Sequence, residues 1–540
     1  MNERNRSRDR PWMQFVAKGN PKEIQIPELS LPQLLDESFA TYPDHIAMTF
    51  LGKTYTYTEL QEHIRKVAWA LARRGVTKGE RVALMLPNCP QYPISFYGAL
   101  TCGATIVQLN PMYKSAELLH ILNDSGAKTI ILMDSLLPLI ENIRDQTGIE
   151  RILPVSVESA KMPDEWLDET NDPFPGVICQ PKEDVAVLQY TGGTTGMPKG
   201  AMLTHYNLVA NILQSAATSF VQVKKGEECV LAVIPLFHVY GMTSAMAVAF
   251  FNGGNVILIP KFDVEQLVTT IEEIKPTSFP GVPTMLIALV DYYKKKKFDL
   301  SCIEICSSGS APLPFEVLDQ FNEISGTTVL EGYGLSEASP VTHRNPIEGV
   351  QKKGSIGIPI PNTDAKIVDV ATGEQELPVG KVGELIIQGP QVMKGYWNRP
   401  QETNHTIRSG WLYTGDLAKM DEDGFFYIVG RKKEMIIASG YNVYPVEVEN
   451  VIYHHPAVLE AAVIGIPDAY RGETIRAVVV LKDQQHVREE ELIQFCRSRL
   501  SAYKVPQDIL FVDELPKTTV GKILKRTLKE QFSHKESKRA

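Results

Sequence analysis

Short apolar runs separated by polar stretches of helical period recur along the first half of the chain. Arg81-Val-Ala-Leu-Met-Leu, Thr105-Ile-Val-Gln-Leu, Thr129-Ile-Ile-Leu-Met and Val185-Ala-Val-Leu-Gln-Tyr are continuous and largely aliphatic. That pattern suits strands buried on both faces. Between them the period changes. Leu34, Leu35, Phe39 and Ala40 mark one side of a helix over 31–42. Val67, Ala68, Ala70 and Leu71 mark a second, which Thr58 can cap; further helices are predicted over 93–104 and 118–123. Strands alternating with helices predict parallel sheets with helices on both faces.

Downstream, 207–213 reads as the opening of a helix, 241–260 as helix, turn and strand, 285–293 as a helix and 303–306 as a strand. From about 350 the signal shifts to turns and short strands, such as Gly383-Glu-Leu-Ile-Ile-Gln-Gly. The expectation is an α/β protein with four parts. Residues 1–30 form a Pro-punctuated, extended arm. Residues 31–430 form a large N-terminal domain of parallel-sheet αβα subdomains, with a β-rich subdomain over about 350–430. Residues 431–540 form a small, mobile α+β C-terminal domain. The acidic, Pro-rich stretch 155–182 reads as a surface connection.

Composition narrows the class. Apolar residues make up 44% of the 540 and charged residues 22%, the balance of a globular protein. A net charge of −9 argues against nucleic acid as the main partner. The seven cysteines are scattered, and Cys302 and Cys306 have no second ligand pair nearby, so a reduced cytoplasmic setting without zinc is expected. The polar N-terminus lacks the apolar core of a secretory signal. The most apolar window, 241–260, is broken by Asn252-Gly-Gly-Asn, so no membrane span is expected. Peripheral contact with a bilayer and a homodimer are left open.

The candidate chemistry begins at Thr191-Gly-Gly-Thr-Thr-Gly-Met-Pro-Lys-Gly200. Glycines 192, 193 and 196 free the backbone, Thr191, Thr194 and Thr195 add hydroxyls, and Lys199 adds a cation. That set suits a polyphosphate. It is not the Walker loop, because Met197 and Pro198 separate Gly196 from the lysine. Ser307-Ser-Gly-Ser-Ala-Pro, with Gly309, Ser310 and Ala311, permits close approach of a flat ring or simply makes a tight turn. In Glu331-Gly-Tyr-Gly-Leu-Ser-Glu337, Tyr333 offers a ring to stack on a base, Ser336 a hydroxyl and Glu337 a carboxylate for a hard cation. Asp416 can accept from both hydroxyls of a ribose. Taken one at a time, each of these would pass for an ordinary turn.

Together and in this order, the segments resemble the signature motifs of the acyl-adenylate-forming (AMP-binding) superfamily, most of all the bacterial long-chain fatty-acid–CoA ligases. The resemblance covers about 30 to 530. It implies that Thr191, Gly192, Gly193, Thr194, Thr195, Gly196, Lys199, Gly309, Ser310, Ala311, Glu331, Gly332, Tyr333, Gly334, Ser336, Asp416 and Arg431 bind ATP and AMP. It further implies that Thr194 and Glu337 hold Mg²⁺, and that His238, in Pro235-Leu-Phe-His, serves the approach of the acid's carboxylate. Lys433 matches the hinge position, Lys522 the mobile catalytic lysine that also binds the nucleotide, and Ser439, Gly440 and Tyr441 the pantetheine tunnel of CoA-forming relatives. Ser336 stands where many relatives carry threonine, and the hydroxyl is kept.

The implied activity joins a fatty acid, ATP and CoA into acyl-CoA, AMP and pyrophosphate. Alternatives are a medium-chain or aryl-acid CoA ligase, an adenylation enzyme that loads a carrier protein, a luciferase-like oxygenase, and an inactive acyl-nucleotide sensor. No carrier domain follows Ala540, which lowers the second of these. Retention of Lys199, Glu337, Asp416, Arg431 and Lys522 argues against the sensor.

Overall fold

The apolar runs of the first half lie side by side. In a computed structural model, which describes residues 10–163, 172–191, 197–438, 441–468, 471–482, 484–518 and 521–532, they form a seven-stranded sheet. Its parallel core runs Val185–Thr191, Thr105–Gln108, Arg81–Met85, Thr129–Met133 and Arg151–Val155 in spatial order. A second, nine-stranded sheet is parallel from Val329–Gly334 through Ile305–Ser308, Ser278–Gly281, Cys229–Ala232 and Asn255–Leu258 to Ile46–Phe50. One continuous core joins both sheets; Tyr57, Tyr97 and Phe250 are among its largest fully buried side chains. Burying both sheet faces this way is why the strands read as unbroken apolar runs.

The β-rich expectation is met by an antiparallel sheet of Asp364–Val368, Gly383–Gln388, Trp411–Met420, Ile407–Arg408 and Phe426–Arg431. A fourth sheet starts at Ile436–Ala438, after a turn at residues 432–434. Its long strands, Val458–Asp468 and Gly472–Leu481, are buried on both faces. Val463 and Ala477 face one core with Val448, Ile452 and Leu492; Ile464 and Val478 face another with Leu515 and Leu528. Helices Pro445–Tyr453, Glu489–Arg497 and Lys525–Phe532 cover it.

Three local expectations change. The second helix begins at Tyr57, and Thr56, not Thr58, caps it in a reciprocal box with Glu59. Pro11–Phe15 is a short 3₁₀ turn, not extended chain; Trp12 is 2% exposed and packs edge-on against Phe426 at 5.9 Å. Lys199–Thr204, which spans the end of the expected phosphate loop and the approach to the helix expected over 207–213, is a strand antiparallel to Val185–Thr191, with Thr191 opposite Lys199. The following helix therefore starts at His205 under a Thr204–Asn207 capping box. The described part of 156–184 holds no α-helix or strand, as expected of a connection. No helix among the described residues is long and apolar enough to cross a membrane.

Candidate active site

The carboxyl ends of the parallel strands open onto a cavity of about 1080 Å³, where ligands of open α/β sheets generally sit. One side is built from Tyr333 and Asp416. Tyr333 ends the Val329–Gly334 strand and donates its hydroxyl to Asp416 Oδ2 at 2.5 Å. Arg431, directly opposite Asp416 across the antiparallel ladder, closes on Oδ1 at 3.0 Å. These contacts use two of the roughly four acceptor positions of a carboxylate, so the rest remain for a diol. Burial, then the Asp416 charge, raises the Tyr333 hydroxyl above its usual range, and the Asp416 charge raises the Arg431 guanidinium. A buried carboxylate held by a guanidinium and a hydroxyl is a fixed anionic anchor.

The opposite side carries the phosphate chemistry. Thr191 and Lys199 face each other at the mouth of the hairpin. The Lys199 ammonium lies 5.3 Å over the ring of Tyr396, whose hydroxyl donates to Glu337 Oε1 at 2.7 Å. Tyr396 is fixed because Gly395–Tyr396 adds a short strand to Lys199–Thr204. One carboxylate, held by a neutral donor beside a lysine, fits Mg²⁺, which takes one or two carboxylates and completes its octahedron with water and phosphate.

The third side is His238, Tyr240 and Lys522, which lies between the Asp508–Phe511 strand of the fourth sheet and the Lys525–Phe532 helix. His238 Nδ1 accepts from the Tyr240 amide at 3.3 Å, which leaves the proton on Nε2. Burial and the nearby Lys522 charge lower this imidazole to about 4, so it is neutral at physiological pH. It can donate a hydrogen bond and is a weak base. Lys522 comes from the far end of the chain. Its amide donates to Thr518 Oγ1 at 3.1 Å, and its ammonium enters the same cavity as Tyr333, Asp416, Arg431 and Glu337. Burial, then Arg431, lower it to about 8, partly opposed by Asp416 and Glu434.

This arrangement can hold a nucleotide at one end and an organic acid at the other, with the Lys522 cation between them. Residues 35–397 match the family described as AMP-binding enzyme, and 447–522 the AMP-binding enzyme C-terminal domain. The chain belongs to the AMP-binding enzyme family. It is 46% identical to a long-chain-fatty-acid–CoA ligase of Bacillus subtilis (strain 168), over 97% of this chain and 98% of that one. Among solved structures, ATP-bound MatB from Rhodopseudomonas palustris superimposes with a TM-score of 0.85 at 31% identity, over 94% of this chain and 99% of that one. An anthranilate CoA ligase in complex with anthranoyl-AMP gives 0.86 at 28% identity, over 94% and 98%.

Of the positions that the AMP-binding motifs nominate, Thr191, Lys199, Gly309, Ser310, Gly332, Tyr333, Gly334, Ser336, Glu337, Asp416, Arg431, Lys433, His238 and Lys522 all line this one cavity. Ala311 and Glu331 do not. Glu331 turns away and accepts from the Gly354 amide at 3.2 Å, so it braces the floor. Tyr441 is also absent from the lining; it stacks on Tyr503 at 4.7 Å. Gly192, Gly193, Thr194, Thr195 and Gly196, and Ser439 and Gly440, lie outside the described residues.

Three contributors to this cavity carry no motif in the sequence. Tyr396 orients Glu337 through its hydroxyl. Asp124 holds the hairpin by accepting from Tyr190 at 2.7 Å and pairing with Arg399 at 2.8 Å. Glu384, nearly buried, takes Lys432 at 2.9 Å and the Gly415 amide at 3.1 Å, fixing the turn before Asp416. None carries a motif; each acts through a partner remote in sequence.

Proposed function

We propose that the protein activates a long-chain fatty acid with ATP to an acyl-adenylate and then transfers the acyl group to the thiol of CoA. The chain is an acyl-CoA ligase, AMP-forming; the long-chain preference is the finer reading. The observation that carries the mechanism is the presence of Lys522, from the small C-terminal unit, in the cavity that also holds Tyr333, Asp416, Arg431 and Glu337.

A carboxylate attacking the α-phosphorus is already an anion, so no general base is needed. The barrier is repulsion between it and the triphosphate, and a positioned ammonium offsets that charge as it develops. Lys522 has that role. Neutral His238 donates Nε2–H to the incoming carboxylate and orients it. Asp416 and Arg431 hold the ribose, Tyr333 flanks the base, and Lys199 with the 191–196 loop meets the departing phosphates. Mg²⁺, held by Glu337 and by Thr194 from that loop, would supply Lewis-acid charge neutralisation at the phosphates.

For the second half-reaction, 431–540 turns about Lys433 as a unit against 31–430, withdrawing Lys522 and presenting Ser439, Gly440 and Tyr441 to the thiol. Hinge motions of this kind are slow enough to limit turnover.

The long-chain reading is supported by the near full-length similarity to a long-chain-fatty-acid–CoA ligase. The likeness to an anthranilate CoA ligase keeps an aryl acid as the second reading. AMP release with ATP, Mg²⁺ and CoA, measured from acetate through octanoate to palmitate and oleate, with benzoate and coumarate, tests both. A maximum at palmitate or oleate is expected. A maximum on an aryl acid overturns the chain-length reading and leaves the adenylation mechanism standing. Pyrophosphate exchange without CoA-dependent AMP release would point to another acceptor.

A further inference from the structure

The cavity continues from the adenylate end as a channel beneath the nine-stranded sheet. One wall is a single helical face, Tyr240, Ser244, Val248 and Asn252, along the π-helix Gly241–Ala247 and the α-helix Val248–Phe251. The facing wall is alternate residues of neighbouring strands: Ser278 and Pro280, Ile305 and Ser307, Leu330 and Gly332. Twelve residues separate Tyr240 from Asn252, so at helical rise the channel runs at most about 18 Å. It starts at the carboxyl ends of the strands, by Gly309, and finishes at their amino ends, where Ser278 opens its strand and Glu228 precedes another.

An alkyl tail favours an apolar end wall. This end wall is polar. Glu228 accepts from Asn252 Nδ2 at 3.0 Å. Arg344, on Val341–Arg344, points one guanidinium nitrogen to Thr218 Oγ1 at 2.9 Å, its one side-chain hydrogen bond among the described residues. Ser215, one helical turn before Thr218, lines the channel with a buried hydroxyl that has no partner among the described residues. Burial raises the Glu228 carboxyl and lowers the Arg344 guanidinium, and each senses the other's charge. A guanidinium has five donors, so Arg344 has several unspent. A methyl terminus placed here would strip water from these groups and return no hydrogen bond.

The geometry points to an acyl substrate with a hydroxyl near the end remote from its carboxyl, accepting from Arg344 and donating to Glu228. A hydroxyl serves both groups at once. A second carboxylate serves Arg344 but meets Glu228 acceptor to acceptor. This rests on reading the cavity as the fatty-acyl site, and it names the kind of fatty acid.

The test compares laurate, myristate and palmitate with their ω-hydroxy and dicarboxylic counterparts, reading kcat/KM for CoA-dependent AMP release. At the chain length that reaches the end wall, the ω-hydroxy acid should exceed its parent by at least about tenfold, the range of a hydrogen bond to a charged group. In Arg344→Met that ratio should fall to roughly one, whatever happens to the individual rates, and Arg344→Lys should recover part of it. Thermal melting of each variant separates misfolding from lost selectivity, and Glu228→Gln, which keeps the Asn252 side within reach, should also lower the ratio. Equal use of hydroxylated and plain acids at every length overturns the proposal. So does a preference that survives in Arg344→Met, or a dicarboxylic acid favoured over the hydroxy acid. If no aliphatic acid is used but an aryl acid is, the fatty-acyl reading itself has failed, a distinguishable result.

Discussion

Gly521 meets Thr284 so closely that a Cβ on the glycine would stand 2.6 Å from the threonine Oγ1. This contact joins the small C-terminal unit to the start of the Pro283–Lys295 helix, one residue before Lys522. It occurs at φ +74°, where a side chain is also strained.

Gly521→Val should therefore block the approach that brings Lys522 to the cavity. ATP–pyrophosphate exchange should fall by about a hundredfold, the scale of losing one preorganised electrostatic group. Thioester formation from a supplied acyl-adenylate should change far less. Equal loss in both half-reactions would show that the contact serves folding rather than the adenylating pose.

The Lys522 value of about 8 sets a pH dependence. The ammonium is the active form, so pyrophosphate exchange should decline as pH rises through about 8, displaced upward when bound triphosphate stabilises the cation. Lys522→Arg should remove that alkaline limb while lowering the plateau, because guanidinium stays charged. Stability moves in the opposite sense. The folded value lies below the ordinary 10.5, so between 8 and 10.5 the folded state binds fewer protons than the unfolded, and stability contributed by this group rises with pH. pH-resolved melting of wild type against Lys522→Met checks it.

Asp416→Asn leaves Arg431 without its anion and the ribose without its anchor. KM for ATP should rise about ten- to a hundredfold, as for lost hydrogen bonds to a charged group, and the variant should melt earlier. Tyr333→Phe should cost only several-fold. With 2′-deoxy-ATP the wild type should lose affinity and Asp416→Asn should lose little more. A full additional loss in the variant would mean that Asp416 does not hold the ribose.

Glu337→Gln should raise the Mg²⁺ concentration for half-maximal exchange by more than tenfold. Tyr396→Phe should raise it by about tenfold, the effect of removing a partner that orients a metal ligand. An unchanged Mg²⁺ dependence in both variants would remove Glu337 from the metal site.

The parallel strands were legible because burial on two faces writes a continuous aliphatic run, as at Thr129–Met133. The motif residues were legible because a nucleotide needs hydroxyls, cations and glycine in a compact segment. The Lys199–Thr204 strand was harder to see: Gly200 weakens its propensity, and its pairing becomes visible only once Val185–Thr191 lies beside it. Tyr396, Asp124 and Arg344 were illegible for a further reason. Each gains its role from a partner far along the chain, Glu337, Tyr190 and Thr218 respectively, and no local pattern encodes such a meeting.

The small unit has two cores of its own and continues the chain through the turn at 432–434. A short tether holds its ends at millimolar effective concentration. Its interface with the larger unit therefore has no need to be tight: weak contacts stay occupied at that concentration. A backbone cut in that turn would leave two pieces, each with a core of its own, and the cavity-lining groups divided between them. Their joint activity would then depend on how much of each is in the tube, a dependence the intact chain abolishes with a single turn.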